Sequence, residues 1–393
     1  GDAFGQHFHM TERTIQPWVR VAFGAQATLL VGMGLGRFSY PPMMPALIES
    51  GALTSAEAGM VGAANLAGYI FGGLAAPVLW RRVEPSVLLR LCLVVAVVCL
   101  AASAVPFGFL WLAFWRGLVG IVVALMMILA ISYVTRLAPP GRMGLATSIA
   151  FTGVGVGIFL SAAGLPWLLA QGLAWAWSGT AAIGFLGLLL GFWGWHGAPP
   201  LLVPAEPAPH AAKAGRSGIL LVLAQACFSL GLVPHSIYWV DYLVRGLDWS
   251  LAEGGFQWVL FGLGAVLGTT LWGRLADRIG FTPGLVLIFL SLASAVALPV
   301  LWPGKLTVIY SSLVLGAQPG LSAVIAGSAQ QAVGAGTMLA LWRWMVLAVG
   351  ATQAVGGVAL VWLFEATGNY TPVFLVGAGA FALAAGLSAR IGR

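Results

Sequence analysis

Arg37 lies in an otherwise apolar stretch, Val31-Gly32-Met33-Gly34-Leu35-Gly36-Arg37-Phe38-Ser39-Tyr40-Pro41-Pro42. At lipid depth a guanidinium costs about 2.5–3.5 kcal/mol on insertion scales, and it cannot shed its proton to escape. It is therefore expected to face a bundle interior or a watery cavity, where its planar fork suits carboxylate, sulfonate or phosphate. The structural alternative is an ion pair, or a cap on carbonyls freed by Pro41 and Pro42. At helical spacing Arg37 shares a face with Met33, Tyr40 and Met44, so Tyr40 is a further candidate contact. Asn65 and Tyr69, one turn apart, would either complete that wall or make a plain interhelical hydrogen bond.

A second chemically rich segment is Pro234-His235-Ser236-Ile237-Tyr238-Trp239-Val240-Asp241-Tyr242. Helical spacing places His235, Tyr238, Trp239 and Tyr242 on one face, with Asp241 flanking it. His235 belongs to the residue type that titrates near neutrality, and Asp241 is the one carboxylate clearly inside an apolar run. Either can carry a coupling proton, while Tyr238 and Trp239 offer substrate contacts. Against Asp241 stands Arg245, one turn on, which would make a surface pair of little energetic consequence. Arg343, between Trp342 and Trp344, is either a second anion contact or a side chain snorkelling to the interface. Arg116 is expected in a structural or coupling role. Cys92, Cys99 and Cys227 fall in apolar runs, and the sequence has no CxxC, His/Cys cluster or HExxH. No cofactor, metal site or catalytic set is expected, and hence no enzyme.

The elements that position these residues follow from composition. Of 393 residues 60% are hydrophobic and 7% charged, against about 25% charged in soluble domains. With a mean hydropathy of +0.97, the chain reads as a polytopic helical membrane protein. Twelve spans are expected, at about 17–46, 54–79, 86–105, 109–135, 143–169, 175–195, 218–244, 252–273, 283–302, 306–330, 336–363 and 371–389. Residues 1–16 are an N-terminal tail, in which Met10 would be the natural start and Gly1–His9 an expression remnant. Residues 17–195 and 218–393 form two six-span units joined by a Pro/Ala-rich linker, 196–217.

With both termini inside, thirteen Lys/Arg residues fall on the cytoplasmic side, and Arg245 and Lys305 alone fall outside. The net charge of +7 is then topology in a plasma (inner) membrane protein, and no nucleic-acid partner is expected. Sliding the chain on itself by 196 residues puts Ala56-Glu57-Ala58-Gly59 on Ala252-Glu253-Gly254-Gly255. It also matches Gly68 and Gly72 with Gly264 and Gly268, and Gly120 with Gly316. Two parallel six-helix halves are the arrangement of 6+6 transporters.

Gly273-Arg274-Leu275-Ala276-Asp277-Arg278-Ile279-Gly280 resembles the G-x-x-x-D-R-x-G loop signature of the major facilitator superfamily, and Arg116-Gly117-Leu118-Val119-Gly120 resembles its R-x-x-x-G pattern. Gly34–Pro45, Glu57-Ala58-Gly59, Asn65–Tyr69 and Leu341–Met345 are similar to the YbfB/YjiJ-like branch. The resemblance implies an all-α, twelve-helix fold of two pseudo-symmetric bundles, with spans 3, 6, 9 and 12 toward lipid. It also implies a conformational latch at Gly273, Asp277 and Arg278. With three intramembrane arginines and one carboxylate, the expectation is a monomeric secondary transporter that moves a small, carboxylate-like organic anion together with protons. The alternatives are an efflux pump for amphipathic or cationic compounds, with Asp241 as counter-ion, or a receptor that binds without transport.

Overall fold

A computed structural model describes residues 16–139, 142–201, 215–333 and 335–391. Most of the 1–16 tail and the middle of the 196–217 linker lie outside the described residues. The described chain is helical, with no strand. In the first half, the first span is α1 (Pro17–Leu29), a π-helical segment Leu30–Arg37, a 3-10 turn Pro41–Met43 and α2 (Met44–Glu49). Then follow α3 (Ser55–Trp80), α4 (Pro85–Ala102), α5 (Gly108–Leu137), α6 (Met143–Gln171) and α7 (Leu173–Trp195). The second half has α8 (Gly215–Asp241) running into a π segment Tyr242–Gly246, α9 (Leu251–Ile279), α10 (Phe281–Leu301), α11 (Lys305–Gly316), α12 (Leu321–Val333), α13 (Ala335–Thr367) and α14 (Tyr370–Ser388).

Among the described residues, eleven stretches are long and apolar enough to cross a membrane. The tenth expected span is the exception, because Gln318-Pro319-Gly320 makes a 3-10 turn that splits it into α11 and α12. Pro319 has no N–H to offer and its ring crowds the preceding turn, which favours the break seen here. The first span departs from a straight helix for the same reason at Pro41 and Pro42.

The two halves repeat each other in detail. Thr54 and Glu57 form a capping box at the start of α3, and Ser250 and Glu253 form the equivalent box on α9, 196 residues on. A Cβ on Gly68 would strike the Gly117 carbonyl and one on Gly264 the Leu313 carbonyl; Gly72 and Gly268 meet Ile121 and Ala317 in the same way. In return, Gly120 faces the Asn65 carbonyl and Gly316 the Phe261 carbonyl. Every one of these pairs is offset by the same interval. Helix backbones in lipid approach closely only where side chains are absent, so the glycines matched by the sequence are the seams of α3 on α5 and of α9 on α11.

Between the halves, α3 packs on α13 and α6 on α9. The face holding Pro17, Trp195 and Ser388 is here the terminal face, and the face holding residues 50–54 and 368–369 the far face. At the far face Ser55 Oγ donates to Glu365 Oε1 (2.9 Å), and Gly59 lies against Val361 and the Tyr238 hydroxyl. Deeper, Gly350 meets Ile70 and Gly155 meets Val266. The helices expected to face lipid carry exposed large apolar side chains, among them Leu91 on α4, Leu186 on α7, Leu290 on α10 and Leu383 on α14.

Candidate functional site

The break in the first span sets up the site. In an α-helix the carbonyls of Arg37 and Phe38 would accept from the N–H groups four residues on, but those residues are Pro41 and Pro42. Two orphan acceptors result, and at lipid depth an orphan costs several kcal/mol. Side chains from other helices satisfy both. Arg116 Nη2 donates to the Arg37 carbonyl (3.3 Å), and the Trp258 indole N–H donates to the Phe38 carbonyl (2.7 Å). Asn65 Nδ2 donates to the Arg116 carbonyl (3.1 Å) and more weakly to that of Gly36 (3.5 Å), tying α3, α5 and the first span together. The donors to these carbonyls are Arg116 and Trp258, and not Arg37 itself as the structural alternative had it.

This leaves Arg37 with its guanidinium unspent. The residue is 6% exposed, and neither Nε nor Nη2 has a hydrogen-bond partner. Its Cζ lies 5.2 Å from the centroid of the Phe38 ring, and Tyr69 lies within electrostatic reach. No carboxylate pairs with Arg37 or Arg116 among the described residues. Arg116 is enclosed more tightly, between the rings of Tyr40 (5.3 Å) and Trp177 (5.7 Å), with Nε and Nη1 unpartnered. Arg116 is thus held by a backbone carbonyl and two aromatic faces and Arg37 stands over one ring, an environment that supports positive charge without cancelling it.

Several expected contacts are placed differently. Residues 38–40 form a turn and not a continuing helix, so Tyr40 does not continue the helical face of Arg37; its hydroxyl donates to the Ala58 carbonyl (2.5 Å) on α3. The seventh-span face divides in two. His235, Trp239 and Tyr242 turn into the second half: His235 Nε2 meets Ser311 Oγ at 2.8 Å, stacks on Trp239 (4.3 Å) and meets Phe374 edge-on. Trp239 donates to Ser312, which donates to Gln257 (3.0 Å). Tyr238 lies about 60° round the helix and turns toward Gly59 of the first half, its hydroxyl unpartnered.

Asp241 is not the surface residue that its pairing with Arg245 suggests. It is fully buried, with Arg245 Nη1 3.3 Å from both carboxylate oxygens and the Tyr370 hydroxyl donating to Oδ2 at 2.7 Å. Arg343 falls within α13, but its side chain lies outside the described residues. Asp277 and Arg278 are exposed near the end of α9, and a Cβ on Gly273 would meet open space. Gln257 was read from sequence as polar lining, whereas Trp258, Ser311, Ser312 and Tyr370 were not singled out as site residues. For Trp258 a signal existed in Pro41-Pro42, which announces carbonyls in need of donors without saying which helix supplies them.

Residues 29–389 match the family described as "Uncharacterised MFS-type transporter YbfB". A search by sequence among curated proteins found no match. Among solved structures the chain is similar to a POT family transporter in complex with 5-aminolevulinic acid, at 15% identity and a TM-score of 0.72, covering 93% of this chain and 94% of that one. It is similar to a peptide transporter POT in complex with sulfate at 18% identity and a TM-score of 0.72, with coverages of 94% and 93%. The human organic anion transporter MFSD10 (TETRAN) matches at 16% identity and a TM-score of 0.66, over 95% of this chain and all of that one.

Proposed function

The chain belongs to the MFS-type transporter family of the YbfB kind, and on that premise we propose that it carries a small organic anion across the membrane by alternating access, coupled to protons. The observation that carries the anionic class is Arg37, a buried guanidinium with unpartnered Nε and Nη2 and no carboxylate counter-charge among the described residues. A permanent cation kept uncompensated at lipid depth is an expensive feature, and a transported anion relieves that cost when it binds. Identities of 15–18% to the solved transporters support the fold and leave the substrate to these arginines. Tyr69 offers a hydroxyl within electrostatic reach of Arg37, and Arg116 fixes the turn through the Arg37 carbonyl.

In this reading residues 17–195 and 218–389 rock as two bundles about the site, linked through 196–217, in a monomer. The positive-inside asymmetry places the terminal face in the cytoplasm of an inner membrane, which makes the packed far face the outer seal. Asp241 belongs to that seal, facing Arg245, Tyr370, Tyr40, Tyr238 and Glu49, and its protonation state would alter the seal directly. We therefore give the coupling proton to Asp241 ahead of His235, which is enclosed within the second half. Cation efflux with Asp241 as counter-ion is less well supported, because Arg245 and Tyr370 already satisfy that carboxylate.

The test is a thermal-shift screen of the purified protein against small carboxylates, sulfonates, phosphate and organic cations, since any ligand of the native state raises its melting point. Uptake of the hit into proteoliposomes then separates a carrier from a receptor. Stabilisation by cations alone would overturn the anionic assignment.

A further inference from the structure

The donor to the Phe38 carbonyl comes from the other half of the molecule. Trp258 lies on α9, is fully buried, and stacks on Phe261 at 4.5 Å while tilting against Phe38 at 6.3 Å. The Arg37 carbonyl, by contrast, is satisfied within the first half by Arg116. When the halves part at the far face, Arg116 stays with its carbonyl but the Trp258 bond must break, which exposes an acceptor that Pro42 has left without any helical donor. That asymmetry turns a local defect into a state-dependent contact.

We propose that Trp258 is a positioning residue that acts through the Phe38 carbonyl, clasping the two halves at the turn that carries Arg37. The clasp ties closure of the far face to the placement of the Arg37 guanidinium, so the turn is fully ordered only while that face is shut. This role in transport rests on Arg37 as the anion anchor, whereas the clasp itself does not and can be tested without any substrate. The proline is an essential part of it: with an N–H at position 42 the carbonyl would have a donor from its own chain, and Trp258 would be dispensable.

The experiment measures the rate at which a maleimide labels Val361→Cys, a position buried against Gly59 across the closed interface, in a cysteine-free background. Trp258→Phe keeps the ring stack and removes the N–H. Labelling should rise about tenfold, the factor expected when one buried carbonyl loses its donor in the closed state. Pro42→Ala should return the Trp258→Phe rate to within about twofold of the parent, through the restored backbone donor. Comparing Trp258 with Trp258→Phe inside the Pro42→Ala background keeps a readable pair should the single variant fail to fold. An unchanged labelling rate in Trp258→Phe overturns the clasp. So does a rise that Pro42→Ala leaves in place, because it would trace the effect to indole packing. Neither result bears on Arg37, which is judged by its own substitution.

Discussion

Replacing Arg37 by Met separates an anchor from a structural ion by the signs of two effects. Methionine keeps much of the stem volume and deletes the charge. If Arg37 holds a carboxylate through two charge-assisted hydrogen bonds at about 1.5–3 kcal/mol each, losing both removes about 3–6 kcal/mol of binding. At about 1.4 kcal/mol per decade, affinity should fall roughly 100- to 10,000-fold. Arg37→Lys keeps the charge and one of the bonds, so its loss should be about 10- to 100-fold. Stability without ligand should move the other way. The guanidinium is buried with Nε and Nη2 unpartnered, so deleting it relieves a desolvation penalty and breaks no side-chain bond at either atom. The ligand-free Arg37→Met protein should melt no lower than the parent, and up to a few degrees higher. The assay is a melting curve with and without the best anion from the screen, followed by a binding isotherm for each variant. Normal binding by Arg37→Met would refute the anchor, and a clearly lowered ligand-free melting point would mark Arg37 as structural.

Gly72→Ala and Gly268→Ala should each destabilise by about 1–3 kcal/mol, since each new methyl meets a backbone carbonyl of the facing helix; closely similar shifts in melting point would check that the two seams are equivalent. Anion affinity should rise as pH falls from about 8 to 5.5, because proton and anion favour one another's binding. Asp241→Asn should flatten that profile and His235→Gln should leave it intact, and the reverse pattern in binding isotherms would move the role to His235. Asp277→Asn should leave the fold intact, as the side chain is exposed here, and should change terminal-face cysteine accessibility only if Asp277 pairs in the alternate state.

Much of this protein was legible in one dimension because lipid imposes simple rules. A span must be long and apolar, glycine must stand where helices touch, and basic residues collect on one side. The interval of 196 residues therefore carried real geometry: Gly68, Gly72 and Gly120 and their partners mark the same backbone contacts in both halves. Arg37 and Asp241 were conspicuous because charge is rare in such a chain. The partners of those groups were not legible, since a hydrogen bond between helices depends on rotation and depth, which local sequence does not encode. The turn at residues 38–40 moved Tyr40 off the face of Arg37, and a difference of about 60° separated Tyr238 from His235. Pro41 and Pro42 declared that two carbonyls needed donors, but only the packing of α5 and α9 decided that Arg116 and Trp258 would supply them, leaving Arg37 free.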